Sequence, residues 1–553
     1  MKDLVITMEN RNFIRTIIEE DLAKGKHKAP ITRFPPEPNG FLHLGHARAI
    51  IMNHTLALEY GGYFNLRFDD TNPVKEDMIF VEGMKEDIAW LGCHWKNLLF
   101  ASDYFNEMYA RAMTLVEKGL AYVCDLTPEE IKTYRGDLKS PGQNSPYRAR
   151  SIEENIRLFE GMKNGAFADG EKVLRAKIDM ASPNMNMRDP IIYRIQRSYH
   201  HNTKNDWCIY PMYDFAHPIE DAIEGITHSL CSLEFEDHRP LYDWFVKHCE
   251  MENVPRQIEF GKLIIANQVT GKRHIRQLVE DGVVDGWDDP RLITLSGLRR
   301  RGVPPQAIHE FIKALGLPKS QGDTDIDMFY EYVRNYLSQH VRRIHGVVDP
   351  VKVIVTNYPE GQTEYLQADY HRDHPELGSR EIPFGKELYI EREDFVEEKP
   401  NKKWKRLALG VEVRLMHAYF IKANDVIYHE DGTIKEIHCT YDPNTQSGSG
   451  FNERKPNGTI HYVEASTAQP VELRLFDNLV TDLSNAAIPI EEKLNPQSKI
   501  IKHGFIEKSV NPSVSEAFQF TRIGYFALDK ESTDQNMIFN RVVALKSSFK
   551  PKK

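Results

Sequence analysis

The stretch Thr32-Arg-Phe-Pro-Pro-Glu-Pro-Asn-Gly-Phe-Leu-His43-Leu-Gly45-His46 constrains this chain more than any other. An apolar stub enters a Pro/Gly-rich turn and two histidines follow three residues apart. Leu44, Ala47, Ile51 and Leu58 then recur at helical spacing. The pattern reads as strand, turn, helix. At that spacing both imidazoles lie on one side of the first helical turn, whose unpaired N–H groups and positive dipole end favour an anion. The stretch is therefore a candidate phosphate cradle, with prolines and glycines keeping side chains out of the approach. Blander readings stand beside it. A single histidine on an apolar helix face is as often a satisfied core residue. A pair could ligate a metal, but no third Cys, His or acid stands at the usual zinc spacing. A dinucleotide fold would need a Gly-x-Gly-x-x-Gly turn, which is absent.

The 553 residues, 41% of them hydrophobic, can bury large cores, and the length suggests roughly three to five domains. No apolar run approaches a membrane span. Met1-Lys-Asp-Leu opens onto a polar helical pattern, Asn12 to Leu22, without a signal-peptide core. The six cysteines form no Cys-x-x-Cys pair, and Cys93-His94 lacks further ligands; they read as free thiols of a reducing, cytoplasmic setting. A net charge of −10 excludes a generic basic nucleic-acid coat, but local basic surfaces can still meet phosphates.

Along the chain, Tyr63-Phe-Asn-Leu-Arg-Phe-Asp69-Asp70 reads as a buried strand ending in two acids. Val81, Met84, Ile88 and Leu91, then Phe105, Met108, Ala112 and Val116, form helical faces stopped by Gly92 and Gly119. Strand–helix alternation predicts a parallel sheet, with ligands beyond its C-terminal strand ends. Asp69 belongs there, though an ordinary cap leading into Thr71-Asn-Pro would look alike. From 121 to 210 turn-rich segments and two strand patterns read as an α/β insertion, and the sheet resumes over 211–275. Ile308, Phe311, Ile312 and Leu315 mark a helical linker domain over 276–344, and the arginines of Ser296-Gly-Leu-Arg-Arg-Arg are candidates for phosphate. After 345 the period becomes alternating, with Asp431-Gly432 as a hairpin turn, and two interleaved antiparallel β-barrels are expected over 345–553. Trp404 among Lys399, Lys402, Lys403, Lys405 and Arg406 suits unstacked bases, although most charged runs are solvated loops.

His43-Leu-Gly-His46, preceded by Phe-Pro-Pro-Glu-Pro-Asn-Gly, resembles the HIGH signature of class I aminoacyl-tRNA synthetases, in the wording of the glutaminyl/glutamyl branch. Val269-Thr270-Gly271-Lys272-Arg273 resembles a degenerate KMSKS loop, with Thr270 and Gly271 replacing the usual Met and Ser. The resemblance covers nearly the whole chain. It implies a Rossmann-like catalytic domain in two halves, 1–120 and 211–275, around an acceptor-stem-binding insertion, followed by the linker and anticodon-binding barrels. It implies ATP, accompanied by Mg²⁺ and with no dedicated protein metal site. His43, His46 and Lys272 would be catalytic. The ATP contacts would be these three together with Glu37, Pro38, Asn39, Leu44, Gly45, Ala47, Arg48, Ala49, Ser232, Leu263, Thr270, Gly271 and Lys262, the last standing where arginine is usual. Arg33, Asp69, Tyr213, Cys231 and Gln257 would hold the amino acid, Asp69 facing the α-amino group. Taken alone, Tyr213 could be a core aromatic. Asp237 and Lys319 would meet tRNA, and Arg343, Lys405, Arg406, Arg414 and Gln519 would read the anticodon, with Met416 replacing a basic residue. Pro211-Met-Tyr-Asp-Phe is closer in wording to enzymes for glutamine. L-glutamine and tRNA(Gln) are thus the expected partners of a monomer; glutamate charging and a nonenzymatic tRNA-binding relative stay open on the residues alone.

Overall fold

The computed structural model describes residues 12–74, 77–485 and 487–546. They form two bodies: residues up to Ile265 together with Ile312–Thr324, and Ala266–Phe311 together with Asp325 onward.

In the first body Asn12 caps α1 (Phe13–Ala23) by accepting from the Arg15 N–H. Then follow β1 (Ile31–Phe34), α2 (Leu44–Glu59), β2 (Tyr63–Phe68), α3 (Met78–Trp90), β3 (Leu98–Phe100) and α4 (Phe105–Glu117). β1, β2 and β3 are parallel, with Ile31 opposite Tyr63 and Leu66 opposite Leu98. α2 is buried on nearly every side, so its apolar stripe is wider than the period suggested, but Leu58 in its last turn emerges to 38% exposure. An antiparallel four-stranded sheet intervenes: β4 (Ala121–Cys124), β5 (Val173–Ala176), β6 (Ile191–Ile195) and β7 (Ile209–Pro211), with α5 (Pro128–Arg135) and α6 (Ile152–Lys163). The chain returns through α7 (Tyr213–Ile223), β8 (His228–Ser232), α8 (Arg239–His248) and β9 (Arg256–Phe260), with β8 and β9 parallel. β1 and β8 meet along a seam rather than a ladder. The Thr227 N–H donates to the Ile31 carbonyl, the Ile31 N–H donates to the Thr227 hydroxyl at 2.8 Å, and the Arg33 guanidinium crosses to the Leu230 carbonyl. The parallel strands thus run β3-β2-β1, seam, β8-β9. Such a switch point is where a doubly wound sheet opens a ligand crevice.

The intervening sheet does not pack alone. One core holds Phe105 and Met108 of α4, Phe159 of α6, Tyr193 of β6, Phe215 of α7 and Phe245 of α8. The expected break between 210 and 211 falls inside β7. β9 stops before Gly261, where a Cβ would meet the Ser320 carbonyl at 2.3 Å. β10 (Leu263–Ile265) pairs instead with β11 (Gly322–Thr324).

The second body opens with α9 (Lys272–Glu280), α10 (Leu295–Arg301), the start of α11 (Pro305–Leu315) and α12 (Ile326–His340). The expected linker domain is therefore divided, α11 lying across both bodies. Arg300 and Arg301 are not held out for phosphate: Arg300 pairs with Asp529 at 3.0 Å, and Arg301 donates to the Val542 carbonyl and the Tyr330 hydroxyl.

Two seven-membered sheets fill the rest. The first uses β14 (Pro350–Val355), β17 (Glu387–Glu391), β20 (Glu412–Leu415), β21 (Phe420–Tyr428), β22 (Ile434–Asp442), β23 (Thr459–Ile460) and β24 (Val463–Glu464). Around its rim lie a hairpin of β15 (Thr363–Asp369) and β16 (Ser379–Gly385), and a short pair of β18 (Phe395–Val396) and β19 (Leu407–Ala408). The second uses β12 (Arg343–Ile344), β13 (Gly346–Val347), β25 (Gln469–Phe476), β26 (Lys499–Ile506), β27 (Ala517–Phe520), β28 (Gly524–Leu528) and β29 (Met537–Ala544). In each, the two end strands are halves of one continuous segment, 459–464 or 343–347, so the sheet closes on itself. Both closures follow the same cycle of antiparallel and parallel pairings. The closing segments are exchanged: 343–347 precedes the first barrel but seals the second, and 459–464 precedes the second but seals the first.

Where the exchanged segments meet, two histidines clasp them reciprocally. His345 Nδ1–H donates to the Tyr462 carbonyl at 2.9 Å, and His461 Nε2–H donates to the Gly346 carbonyl at 2.9 Å. His461 Nδ1 accepts from Arg522, which fixes its tautomer. Burial lowers both histidines, His461 from 6.5 to about 4, so both rings are neutral. Replacing either with alanine strands a buried carbonyl and is expected to cost about 1–3 kcal/mol, read as an earlier denaturant midpoint. Because an unfolded histidine binds its proton more readily, wild-type stability should fall as pH drops from about 6.5 toward 4; His461→Asn should flatten that fall.

Candidate active site

The histidines sit differently from the simple helical reading. His43 is the N-cap of α2, in extended conformation, and His46 is its third residue. His43 Nδ1 accepts from the Gly45 N–H, and the His43 N–H donates to His46 Nδ1, both at 3.1 Å. The pair forms a capping box normally built from Ser/Thr and Glu, with ring centroids 3.9 Å apart. Since each Nδ1 accepts, each neutral ring carries its proton on Nε2. The helix start therefore fixes the tautomer of both imidazoles, while the Gly45 N–H is taken by the His43 ring and the His46 N–H by the His43 carbonyl. Gly45 makes this possible: a Cβ there would stand 2.8 Å from His43 Cε1 and 2.9 Å from the Leu263 carbonyl oxygen. Arg48 donates to the Gly261 carbonyl at 3.0 Å, tying α2 to the β9–β10 turn. Leu44 and Ala47 are buried in the same helix, whereas Ala49 packs against the sheet core through partly buried contacts. Glu37 and Pro38 give their carbonyls to Asn39 and Asp77, bracing the turn. Ser232 and Lys262 share one acid, Glu234, at 2.8 and 2.9 Å. Glu234 gave no signal in the sequence.

The residues expected to hold the amino acid border a buried charge web. Arg33 is fully buried; its Nε and Nη2 bind both oxygens of Asp221, and Nη2 also reaches the Ser229 hydroxyl at 2.6 Å. Arg67 pairs with Glu220, Asp221 and Glu224 within 2.9 Å. His217 lies between the two arginines, 3.1 Å from one and 3.3 Å from the other, and burial drives it down to about 3. Burial works against the Asp221 charge, but Arg33 foremost holds it ionised, well below the usual carboxylate range. Burial raises Glu220 and Glu224 despite Arg67. Tyr213 begins α7 and stacks on His217 with centroids 5.1 Å apart. Cys231 Sγ stands 3.7 Å from Arg33 and 3.8 Å from His217, and burial raises its thiol. Gln257 donates to the Phe235 carbonyl and Glu259, and lines a cavity of about 410 Å³ with Arg239 and Lys319. Asp69 is buried; burial lifts its carboxyl to about 6 against the Thr71 hydroxyl, 2.8 Å away, with the Glu37 charge adding to the rise.

Between β8 and α8, Asp237 is exposed, its carbonyl held by Asn184 of the insertion. Leu138, absent from the sequence reading, is 84% exposed at the tip of a turn fixed by Arg188, which donates to the carbonyls of Arg135, Asp137 and Ser140. Lys319 rests over the Phe13 ring. In the second body Gly271 is the N-cap and Lys272 the first residue of α9, and Thr270 precedes them. Arg343 and Gln519 face each other across β12 and β27, and Arg343 Nε and Gln519 Oε1 are buried polar atoms left without partners within the protein. Arg406 binds the Glu393 carbonyl and lies over Trp404, and Lys405 is exposed beside it. Arg414 spends Nη1 on the Ala418 and Thr445 carbonyls and the Ser447 hydroxyl. Among the described residues, one His/Asp group has metal-like spacing, Asp70, His200 and His201.

A split parallel sheet with a histidine-capped helix at its seam, a carboxylate at a strand end and two exchanged barrels defines a class. The chain belongs to the class I tRNA synthetases for glutamate and glutamine. Residues 31–338 match the family's catalytic domain, described as "tRNA synthetases class I (E and Q)", and 341–442 and 459–529 match its two anti-codon binding domains. Within that family it is 57% identical to the glutamine–tRNA ligase of Clostridium perfringens over 545 residues, 98% of this chain and 99% of that protein. It is 56% identical to the glutamine–tRNA ligase of Clostridioides difficile over 549 residues, again 98% and 99%. Among solved structures, a glutamate tRNA ligase from Elizabethkingia meningosepticum overlaps 56% of this chain and 70% of that chain at TM-score 0.41 and 18% identity.

Gly45→Ala should push the His43 ring off its cap and slow ATP–pyrophosphate exchange about a hundredfold, with tRNA affinity changed less than about twofold in a filter-binding assay.

Proposed function

We propose that this chain attaches L-glutamine to tRNA(Gln) in two steps. The reading is carried by one observation: both the catalytic half and the barrels align end to end with glutamine–tRNA ligases. In the first step the glutamine carboxylate attacks the α-phosphorus of ATP and pyrophosphate leaves. In the second the 2′-hydroxyl of the terminal adenosine attacks the acyl carbonyl and AMP leaves. Such transfers need positioning and charge neutralisation more than a protein nucleophile. His43 and His46 donate through Nε2–H to phosphate oxygens, the positive end of the α2 dipole favours the same charge, and Lys272 supplies a mobile ammonium. Glu234 holds Ser232 and Lys262 in place at the nucleotide.

The oxygen donors near the cradle are engaged, Glu234 with Ser232 and Lys262 and Asp69 with Thr71. That donor set fits Mg²⁺ carried by the ATP phosphates and water rather than by a protein cage; when bound, the ion neutralises phosphate charge. Asp69 takes the glutamine α-ammonium, and Tyr213 meets the side-chain amide in front of the neutral Cys231 and the Arg33 web. Glutamate would leave an amide-shaped donor–acceptor set unmatched there.

On tRNA, Asp237 and the Leu138 turn face the acceptor end, an apolar tip on a fixed turn being suited to wedge between bases. The unpartnered Arg343 donor and Gln519 acceptor form a buried pair shaped for the edge of an unstacked base, and Lys405, Arg406 and Arg414 take the same role elsewhere on the barrels. No described helix is long and apolar enough to cross a membrane; a cytoplasmic monomer completes the reading.

Aminoacylation of total tRNA with labelled glutamine and glutamate in parallel tests it, with charging by glutamine alone expected. His43→Ala and Lys272→Ala should each slow exchange about a hundredfold or more; near-normal rates at saturating tRNA would remove those roles. Because the Asp69 carboxyl protonates near 6, the KM for glutamine should be flat above that pH and rise about tenfold per unit below it. Asp69→Asn should abolish that slope. Tyr213→Phe should narrow the preference for glutamine over glutamate about tenfold or more.

A further inference from the structure

We propose that His200 is a positioning residue for the amino-acid site, acting through one peptide group to hold the Asp69 carboxylate in its productive orientation. The proposal rests on the reading of Asp69 as the ammonium acceptor. His200 lies in the loop between β6 and β7, far from Asp69 in sequence but buried beside it in the fold. Its Nδ1 accepts from the N–H groups of Asn202 and Thr203, at 3.1 and 3.2 Å. The proton of the neutral ring is therefore on Nε2, which points at the Asp70 carbonyl oxygen, 2.7 Å away. The same peptide group carries the Thr71 N–H on its other edge, and that N–H donates to Asp69 Oδ1 at 3.4 Å, next to the Thr71 hydroxyl at 2.8 Å. His200 thus fixes the plane of the 70–71 peptide, and that plane sets which way its N–H, and with it the Asp69 carboxylate, can turn.

The remaining contacts make the loop a clamp. The Asp70 carboxylate accepts from the Ser102 N–H and hydroxyl and from His201 Nε2, at 2.8, 2.6 and 2.7 Å. Asn202 reaches the same Ser102 hydroxyl at 2.9 Å. The His200 ring is wedged between Phe105 and Tyr210, and His201 stacks on it. From the other side the Asp69 N–H donates to the Pro36 carbonyl in the turn before His43. The carboxylate is held between the nucleotide turn in front and the insertion loop behind. The metal-like spacing of Asp70, His200 and His201 is explained by these bonds, because the His200 nitrogen facing Asp70 carries a proton and cannot ligate.

The test uses the full-length enzyme with saturating tRNA, glutamine, and its des-amino analogue 4-carbamoylbutanoate as competitor in ATP–pyrophosphate exchange. The ratio of the analogue's Ki to the KM for glutamine reports what the α-ammonium contributes. His200→Asn keeps an acceptor for Asn202 and Thr203 but cannot reach Asp70; it should raise the KM for glutamine and lower the ratio about tenfold, with the KM for ATP within about twofold. His200→Gln, whose amide N–H reaches the Nε2 position, should restore both to within about threefold. His200→Ala should match His200→Asn if it folds, and His200→Asn decides if it does not. A wild-type ratio in His200→Asn, while Asp69→Asn collapses it, overturns the positioning role alone. An unchanged ratio in Asp69→Asn overturns the assignment of Asp69 itself.

Discussion

Two fully buried arginines must each find a carboxylate, and here they find the same one. Arg33 on β1 and Arg67 on β2 converge on Asp221 of α7. A buried charge left without its partner is costly, so β1 and β2 cannot part from α7 and β8 without exposing one. The bond from Arg33 to the Leu230 carbonyl spans the seam where the parallel sheet has no ladder. Tyr213 over His217 and Cys231 beside Arg33, the wall proposed for the amino acid, pack against that web. Its rigidity follows from electrostatics before any substrate arrives, which is what a site that discriminates by hydrogen-bond complementarity needs.

The start of α2 is built on a different principle. The helix is capped by its own histidines, and the cap fixes the tautomer of each ring. Structure and chemistry are one hydrogen-bond pair. Gly45 is the steric condition for it, leaving room for the His43 ring and the Leu263 carbonyl at a distance no side chain would permit.

Local features were legible in the sequence. The strand–turn–helix around His43, the acid at the end of β2, the helical faces of α3 and α4, and the Asp431-Gly432 hairpin all come from short-range periodicity and turn chemistry. The amphipathic reading placed both histidines within the helix, whereas His43 is its cap, because a spacing of three fits either arrangement. Charge readings fared worse where neutralisation is distant. Arg300 looked available for phosphate, yet its partner Asp529 lies 229 residues away. The partners of Arg33 and the contact of His200 with Asp70 were hidden for the same reason. Domain edges drawn from changes in texture cut through β7, α9 and the 343–347 segment, since a shared core or an exchanged strand leaves no mark on composition.

The exchange of closing strands has a consequence for how the chain reaches its native state. Segment 343–347 leaves the ribosome before any strand it will pair with exists, and the barrel that follows it cannot be sealed until 459–464 has been made. Neither barrel is a free-standing unit of assembly, and a chain halted between them would carry two open sheet edges with unpaired backbone groups, the condition that invites aggregation. The C-terminal half is thus bound to mature late and as a pair.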